Sequence, residues 1–202
     1  MKPKVFWCLI RLCLIMAIKK LSCDDQILGN TEAFVGDFWS WAYSDILSNR
    51  NRSIFAEFIV GSALGVVDTA RIEWDSVDLH YNQKRIEVKS AAYVQSWEQA
   101  KLSTISYDIG KKTPWYAESN TWGDKSTRSA DCYVFCLYTE TDVKRANVLN
   151  LDDWVFYVLS TKTINRLFKD QKSVVLSRIM HVCDLVEYDG LKDAVDTCLE
   201  GA

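Results

Sequence analysis

The sequence predicts an α/β fold, a mixed central β-sheet flanked by helices, from three observations. Residues 77–89 read as two alternating strands joined by a tight reversal. Asp131–Tyr138 is apolar on both faces, as expected of a strand in the middle of a sheet. Residues 53–67 carry a single charge, Glu57, in an apolar run with Ser53 as N-cap and Gly65 as stop, the pattern of a buried helix of about three turns. The 202 residues are 49% apolar, enough to fill the core of one domain.

Residues 1–30 read as an N-terminal extension, and residues 31–202 as the single domain. Lys2 and Lys4 precede an apolar stretch, Val5–Ile18, which Arg11 interrupts and Lys19-Lys20 close. That stretch is too short and too charged to span a bilayer, and no membrane partner is expected. It is signal-like, but Arg11 breaks its apolar core and no small-x-small cleavage site follows. Leu21-Ser22-Cys23 hints at a lipoprotein box, with Lys20 where an aliphatic residue belongs. The preferred reading is a mis-assigned start, with Met16 or a later codon as the working one. The domain opens near Thr31, and Phe38–Tyr43 gives a first helix whose tryptophans are expected in the core.

Glu57 comes next, in the helix over 53–67. A carboxylate among Ile54, Phe58, Val60 and Gly61 is costly unless it is paired or holds a metal. Two readings stay open: it caps a buried arginine such as Arg71, or it belongs to a site.

The following hairpin is the most informative segment. A reversal at Asn82-Gln83 pairs Tyr81 with Lys84, His80 with Arg85 and Leu79 with Ile86, so Asp78 lies across from Glu87. Lys89 falls on the same face. Opposed like charges destabilise a sheet, so a fold that keeps them has something to hold there. Carboxylate oxygens suit Mg²⁺, which leaves positions for water and phosphate. With Lys89 beside them, the trio can bind a phosphodiester, polarise it and activate water.

Asp78, eight residues, then Glu87-Val88-Lys89 resembles the signature of the PD-(D/E)XK, or restriction-endonuclease-like, nuclease superfamily, with Val77 in place of the proline. The resemblance implies an αβββαβ core and a Mg²⁺-dependent endonuclease acting on DNA, with Mn²⁺ as a substitute. It implies Asp78, Glu87 and the Val88 carbonyl as metal ligands, and Lys89 orienting or deprotonating the attacking water. It gives Glu57 an assisting role from the preceding helix, and it suggests a homodimer. Asp75 rivals Asp78, which it could replace through a β-bulge. Phe55-Ala56-Glu57, Glu73-Trp74-Asp75, Ile86–Ser90 and Gln95-Ser96-Trp97 also resemble an uncharacterised bacterial group. The alternative is a catalytically inactive module of the same fold that binds nucleic acid or protein. A third reading makes the three residues a surface charge ladder.

Past Lys89, the small residues from Ser90 onward would let a phosphate backbone approach closely. Gln95 and Gln99, four apart, share a face if helical and are candidate substrate contacts with Ser90. Thr104–Ile109 alternates as a strand, and Asp153–Leu159 reads as another. Ile164–Lys169 and Asp189–Leu199 read as helices, the second capped by Asp189, while Ser173–Cys183 fits strand or helix. Gly110–Ala130 is a long polar loop with Trp115, Tyr116 and Trp122 among Lys111, Lys112, Lys125 and Arg128. Aromatics interleaved with cations suit bases and phosphates, and Lys111 and Lys112 are candidate phosphate contacts. The same tryptophans are equally consistent with core lids.

Net charge is −3, yet residues 84–128 hold eight Lys and Arg against five Asp and Glu, so the basic excess surrounds the hairpin. Two histidines, His80 and His181, are too few for histidine-rich zinc sites or histidine-metal nucleases. Seven cysteines without a framework spacing favour reduced thiols and a cytoplasmic location. Gly61–Gly65 lacks the lysine of a phosphate loop.

Overall fold

The computed structural model describes residues 18–116 and 119–201. Most of the N-terminal extension, residues 1–17 with Met16, lies outside them. Helix α1 (Val35–Tyr43) starts where the Asp37 carboxylate accepts the Phe34 N–H at 2.8 Å. It buries none of its residues. The expectation of core tryptophans fails there: Trp41 is 85% exposed, and among the described residues no strand packs extensively against α1.

Helix α2 (Asn49–Leu64) has its N-cap at Ser48, five residues before the expected Ser53. Ser48 caps it, accepting from the Asn51 N–H, while Ser53 donates to the Asn49 carbonyl inside the helix. Gly65 ends it as expected, at φ +70°, a conformation that costs glycine nothing.

Strands β1 (Leu79–Tyr81) and β2 (Lys84–Ala92) form the hairpin in the expected register, Leu79 with Ile86 and Tyr81 with Lys84. Asn82 and Gln83 have φ of 48° and 63°, the two left-handed residues that a tight hairpin turn of matching twist requires. From β2 the chain crosses over without a helix among the described residues. It passes through β3 (Ser106–Asp108) and the small hairpin β4 (Trp115–Tyr116) and β5 (Thr121–Trp122). It then enters β6 (Cys132–Tyr138), every residue of which is buried. Gln95 and Gln99 therefore do not share a helix face; they lie in an irregular turn.

Strand β6 runs parallel to β2, and β7 (Trp154–Ser160) pairs antiparallel with β6, giving a mixed sheet in the order β1-β2-β6-β7. Helix α3 (Thr161–Phe168) follows, capped by Ser160. The ambiguous stretch is both things: β8 (Ser173–Val175), which pairs with β3, then the short helix α4 (Leu176–Met180). Helix α5 (Leu191–Glu200) closes the chain. Asp189 does not cap it but sits in the 3₁₀ turn Tyr188–Gly190 ahead of it.

Helices thus flank a mixed sheet, the expected class. On one face Ile86, Val88 and Ala92 meet Ile59, Val60, Leu191 and Val195 from α2 and α5. On the other, Ala91, Tyr133 and Phe135 meet Tyr107, Ile164 and Phe168. Strand alternation therefore turns Glu87 and Lys89 toward the β3 and α3 side. No helix among the described residues is long and apolar enough to cross a membrane.

Candidate active site

Asp78 sits one residue ahead of β1, where its own N–H still reaches the Ile86 carbonyl at 3.2 Å. Its carboxylate turns back across the hairpin and accepts the Val88 N–H at 2.7 Å. On β2, Lys89 donates to Glu87 at 2.5 Å, both side chains largely buried. In an extended strand a residue's N–H and C=O point to the same edge. The Val88 carbonyl therefore lies on the edge that Asp78 occupies.

Burial raises the Asp78 pKa to about 7, and repulsion from Glu87 and then Glu57 adds to the rise; Lys89 and the Val88 N–H only partly oppose it. Burial alone would lower Lys89, but the pull of Glu87, Asp78 and Asp108 outweighs it and its pKa is raised. These shifts put Asp78, Glu87, Glu57 and Lys89 in one electrostatic field.

Glu57 is 7% exposed and takes a two-pronged bond from Arg71, Nε to Oε2 at 2.5 Å and Nη2 to Oε1 at 2.8 Å. Of the two readings left open for Glu57, the arginine pair is the one seen. The pair remains beside the site, since Asp78 also helps raise the Arg71 pKa. Asp75 is engaged elsewhere, accepting the Ser76 N–H at 2.6 Å and lying 2.9 Å from His80 Nε2.

The remaining candidates scatter. Gln95 is buried, accepting from Arg52 at 3.2 Å and donating to the Ala92 carbonyl and Ser103. Gln99 accepts the Gln95 N–H at 2.7 Å and also donates to Ser103. The two glutamines meet, but inside the turn after β2. Ser90 Oγ is buried without a hydrogen-bond partner among the described residues, on the face opposite Lys89. Lys111 pairs with Asp170 at 2.7 Å and Lys112 with Asp108 at 3.5 Å, both lysines exposed.

Two neighbours were not singled out from sequence. Asp108 on β3 adds to the field at Lys89. Tyr133 stands beside Glu87 on β6, its phenol pushed up by burial and then by that carboxylate. Neither carries a local signal: the β2–β6 register joins Glu87 to Tyr133 more than forty positions away, and Asp108 comes near Lys89 only because β3 packs on β2. Arg128, expected among the loop cations, is instead buried and donates to the carbonyls of Ile109, Lys169 and Gln171 and to Asn165.

Among the described residues no three His, Cys, Asp or Glu side chains converge closely enough to hold a metal between them. Mg²⁺ does not need three, since it is often bound through one or two carboxylates and completed by water and phosphate oxygens. Asp78, pushed up by burial and by two other acids and bonded, among the described residues, only to a backbone N–H, is an oxygen donor of the kind such an ion suits.

A mixed α/β sheet carrying two acids and a lysine at its hairpin has the makings of a nuclease. The bacteriophage T4 endonuclease IV family model matches residues 39–178, well over half of the chain, and takes in every candidate residue above. The chain belongs to that family, and so to a nuclease family. No curated protein and no solved structure matches it.

Proposed function

We propose that this chain is an endonuclease that hydrolyses phosphodiester bonds in DNA by PD-(D/E)XK chemistry, with Mg²⁺ as cofactor and Mn²⁺ as a substitute. The observation that carries this reading is the Asp78 carboxyl, raised to about 7 by burial and by Glu87 and Glu57. Asp78, Glu87 and the Val88 carbonyl would hold the cation. Bound there, it would stabilise charge on the phosphate and acidify a water. Lys89 would give up its bond to Glu87 and orient the attacking water, its ammonium offsetting charge on the phosphate. Glu57 would act through Arg71, holding that guanidinium beside the site.

The test is cleavage of supercoiled plasmid by the purified chain with Mg²⁺, with Mn²⁺ and with chelator. Lys89→Ala and Glu87→Ala, checked for folding by circular dichroism, should each lose about 100-fold or more of the metal-dependent activity. Cleavage that survives both substitutions would rule this centre out. DNA retention without cleavage would point instead to a binding module.

A further inference from the structure

One small sheet, the β4–β5 hairpin, stands outside both cores. Trp115 and Trp122 face each other across it, ring centroids 5.1 Å apart at 57°. Trp122 is 67% exposed and Tyr116 37%. Trp115 is half-buried, and a solvent-facing indole on a short ribbon is what a binding surface presents, not a core.

The root of this ribbon is held firmly. Lys112 and Thr127 exchange two backbone hydrogen bonds of 2.9 Å. Gly123 donates to the Pro114 carbonyl at 2.8 Å, and any Cβ at Gly123 would stand 2.7 Å from the Pro114 ring. Buried Arg128 ties the returning segment to Ile109 and to the end of α3. The root also borders the acidic site. Strand β3 packs on β2, Asp108 on β3 bonds the Gly110 N–H and pairs with Lys112, and Asp108 shares its field with Lys89.

We infer that the hairpin is a substrate-positioning arm, on which Trp122 stacks a nucleobase near the scissile phosphate. The inference rests on the nuclease reading for its ligand. Three points favour a base over a protein partner: an aromatic face, the exposed cations Lys111, Lys112 and Lys125 along the same loop, and continuity with the acid–lysine centre. Stacking on an indole needs a base whose face is open, either unpaired or swung out of a duplex. Trp122 is thus a positioning residue, with no part in the chemistry itself.

Fluorescence anisotropy of a labelled DNA oligonucleotide in chelator, with the full-length chain, tests the arm apart from cleavage. Trp122→Ala should weaken binding about 5- to 100-fold, and Trp122→Phe, which keeps a stacking face, should recover most of it. With Mg²⁺, Trp122→Ala should raise KM and leave kcat within about twofold. The unsubstituted chain should also photocrosslink through Trp122 to an iodouracil-containing oligonucleotide. Equal binding by wild type and Trp122→Ala, or crosslinks only to other residues, would overturn the arm. Should the chain bind through Trp122 yet cut nothing, the arm stands and the nuclease reading falls. Cleavage with the same KM in wild type and Trp122→Ala would leave the nuclease standing and remove the arm.

Discussion

Replacing Asp78 by asparagine should stabilise the metal-free protein, and more so as pH rises. The folded-state pKa of Asp78 lies at about 7 against an ordinary 3.8. Below 3.8 the group is protonated whether the chain is folded or not, and the fold carries no penalty. Above about 7 it is ionised in both states, and the fold bears the full cost of burying it beside Glu87 and Glu57. Stability attached to Asp78 is therefore present at low pH and lost as pH climbs through about 7. The whole shift is worth about 4 kcal/mol, of which about 3 kcal/mol falls between roughly pH 5 and pH 8. Asparagine keeps an oxygen for the Val88 N–H and removes the charge, so the variant escapes this slope. Urea denaturation of both proteins in chelator, at several pH values across that window, measures the gap directly. The variant should gain about 3 kcal/mol on wild type from the acid to the alkaline end, and Mg²⁺ should close the gap from the wild-type side only. Parallel pH profiles would mean that Asp78 feels neither burial nor its acidic neighbours, and the electrostatic argument for the site would fail.

Arg71→Ala strips Glu57 of its partner; because Arg71 is 35% exposed, the loss should be about 2 kcal/mol, short of the full cost of breaking a buried pair, read from the urea midpoint. Arg128→Met leaves three carbonyls without that donor and should cost about 3 kcal/mol by the same measure, where a change under about 0.5 kcal/mol would show that water replaces it. Gln83→Gly should add about 0.5–1 kcal/mol, since Gln83 sits at φ 63° where glycine is unstrained; a destabilised variant would mean that the turn differs from the one described.

The hairpin was legible because its cues are local. Alternation fixed which residues face inward, and only a two-residue turn at Asn82-Gln83 sets Leu79 against Ile86; Asp78, one residue ahead of the strand, lies outside that ladder and reaches the Val88 N–H instead. The start of α2 was not, because Ser48 and Ser53 are equally good caps by type. Bonds from the Ser48 N–H and the Asn51 side chain to Asp45 favour the earlier one. Gln95 and Gln99 misled for a related reason. Spacing of four is helical only if nothing else claims the side chains, and a buried arginine 43 positions upstream claims Gln95. The exposure of Trp41 and Trp122 was equally hidden, since an aromatic residue reads the same in a core and on a surface waiting for a ligand.

The distribution of charge within the site explains why Asp78, of its three acids, is the one whose pKa rises to about 7. Arg71 is committed to Glu57 through both carboxylate oxygens, and Lys89 to Glu87. Two cations are thereby taken up by two acids, and among the described residues Asp78 is left with a single backbone N–H. A neutral donor cannot offset the burial of a carboxylate beside two others, so the group answers by holding its proton, which is the shift to about 7. A divalent ion held by Asp78 and Glu87 in the proposed reaction would reverse that balance, since its charge would favour ionised Asp78 and weaken the hold of Glu87 on Lys89. The lysine would then be free to turn toward water or phosphate. The closeness of Asp78 to Glu87 and Glu57, unfavourable for three charged acids alone, would be offset by the cation of the proposed reaction.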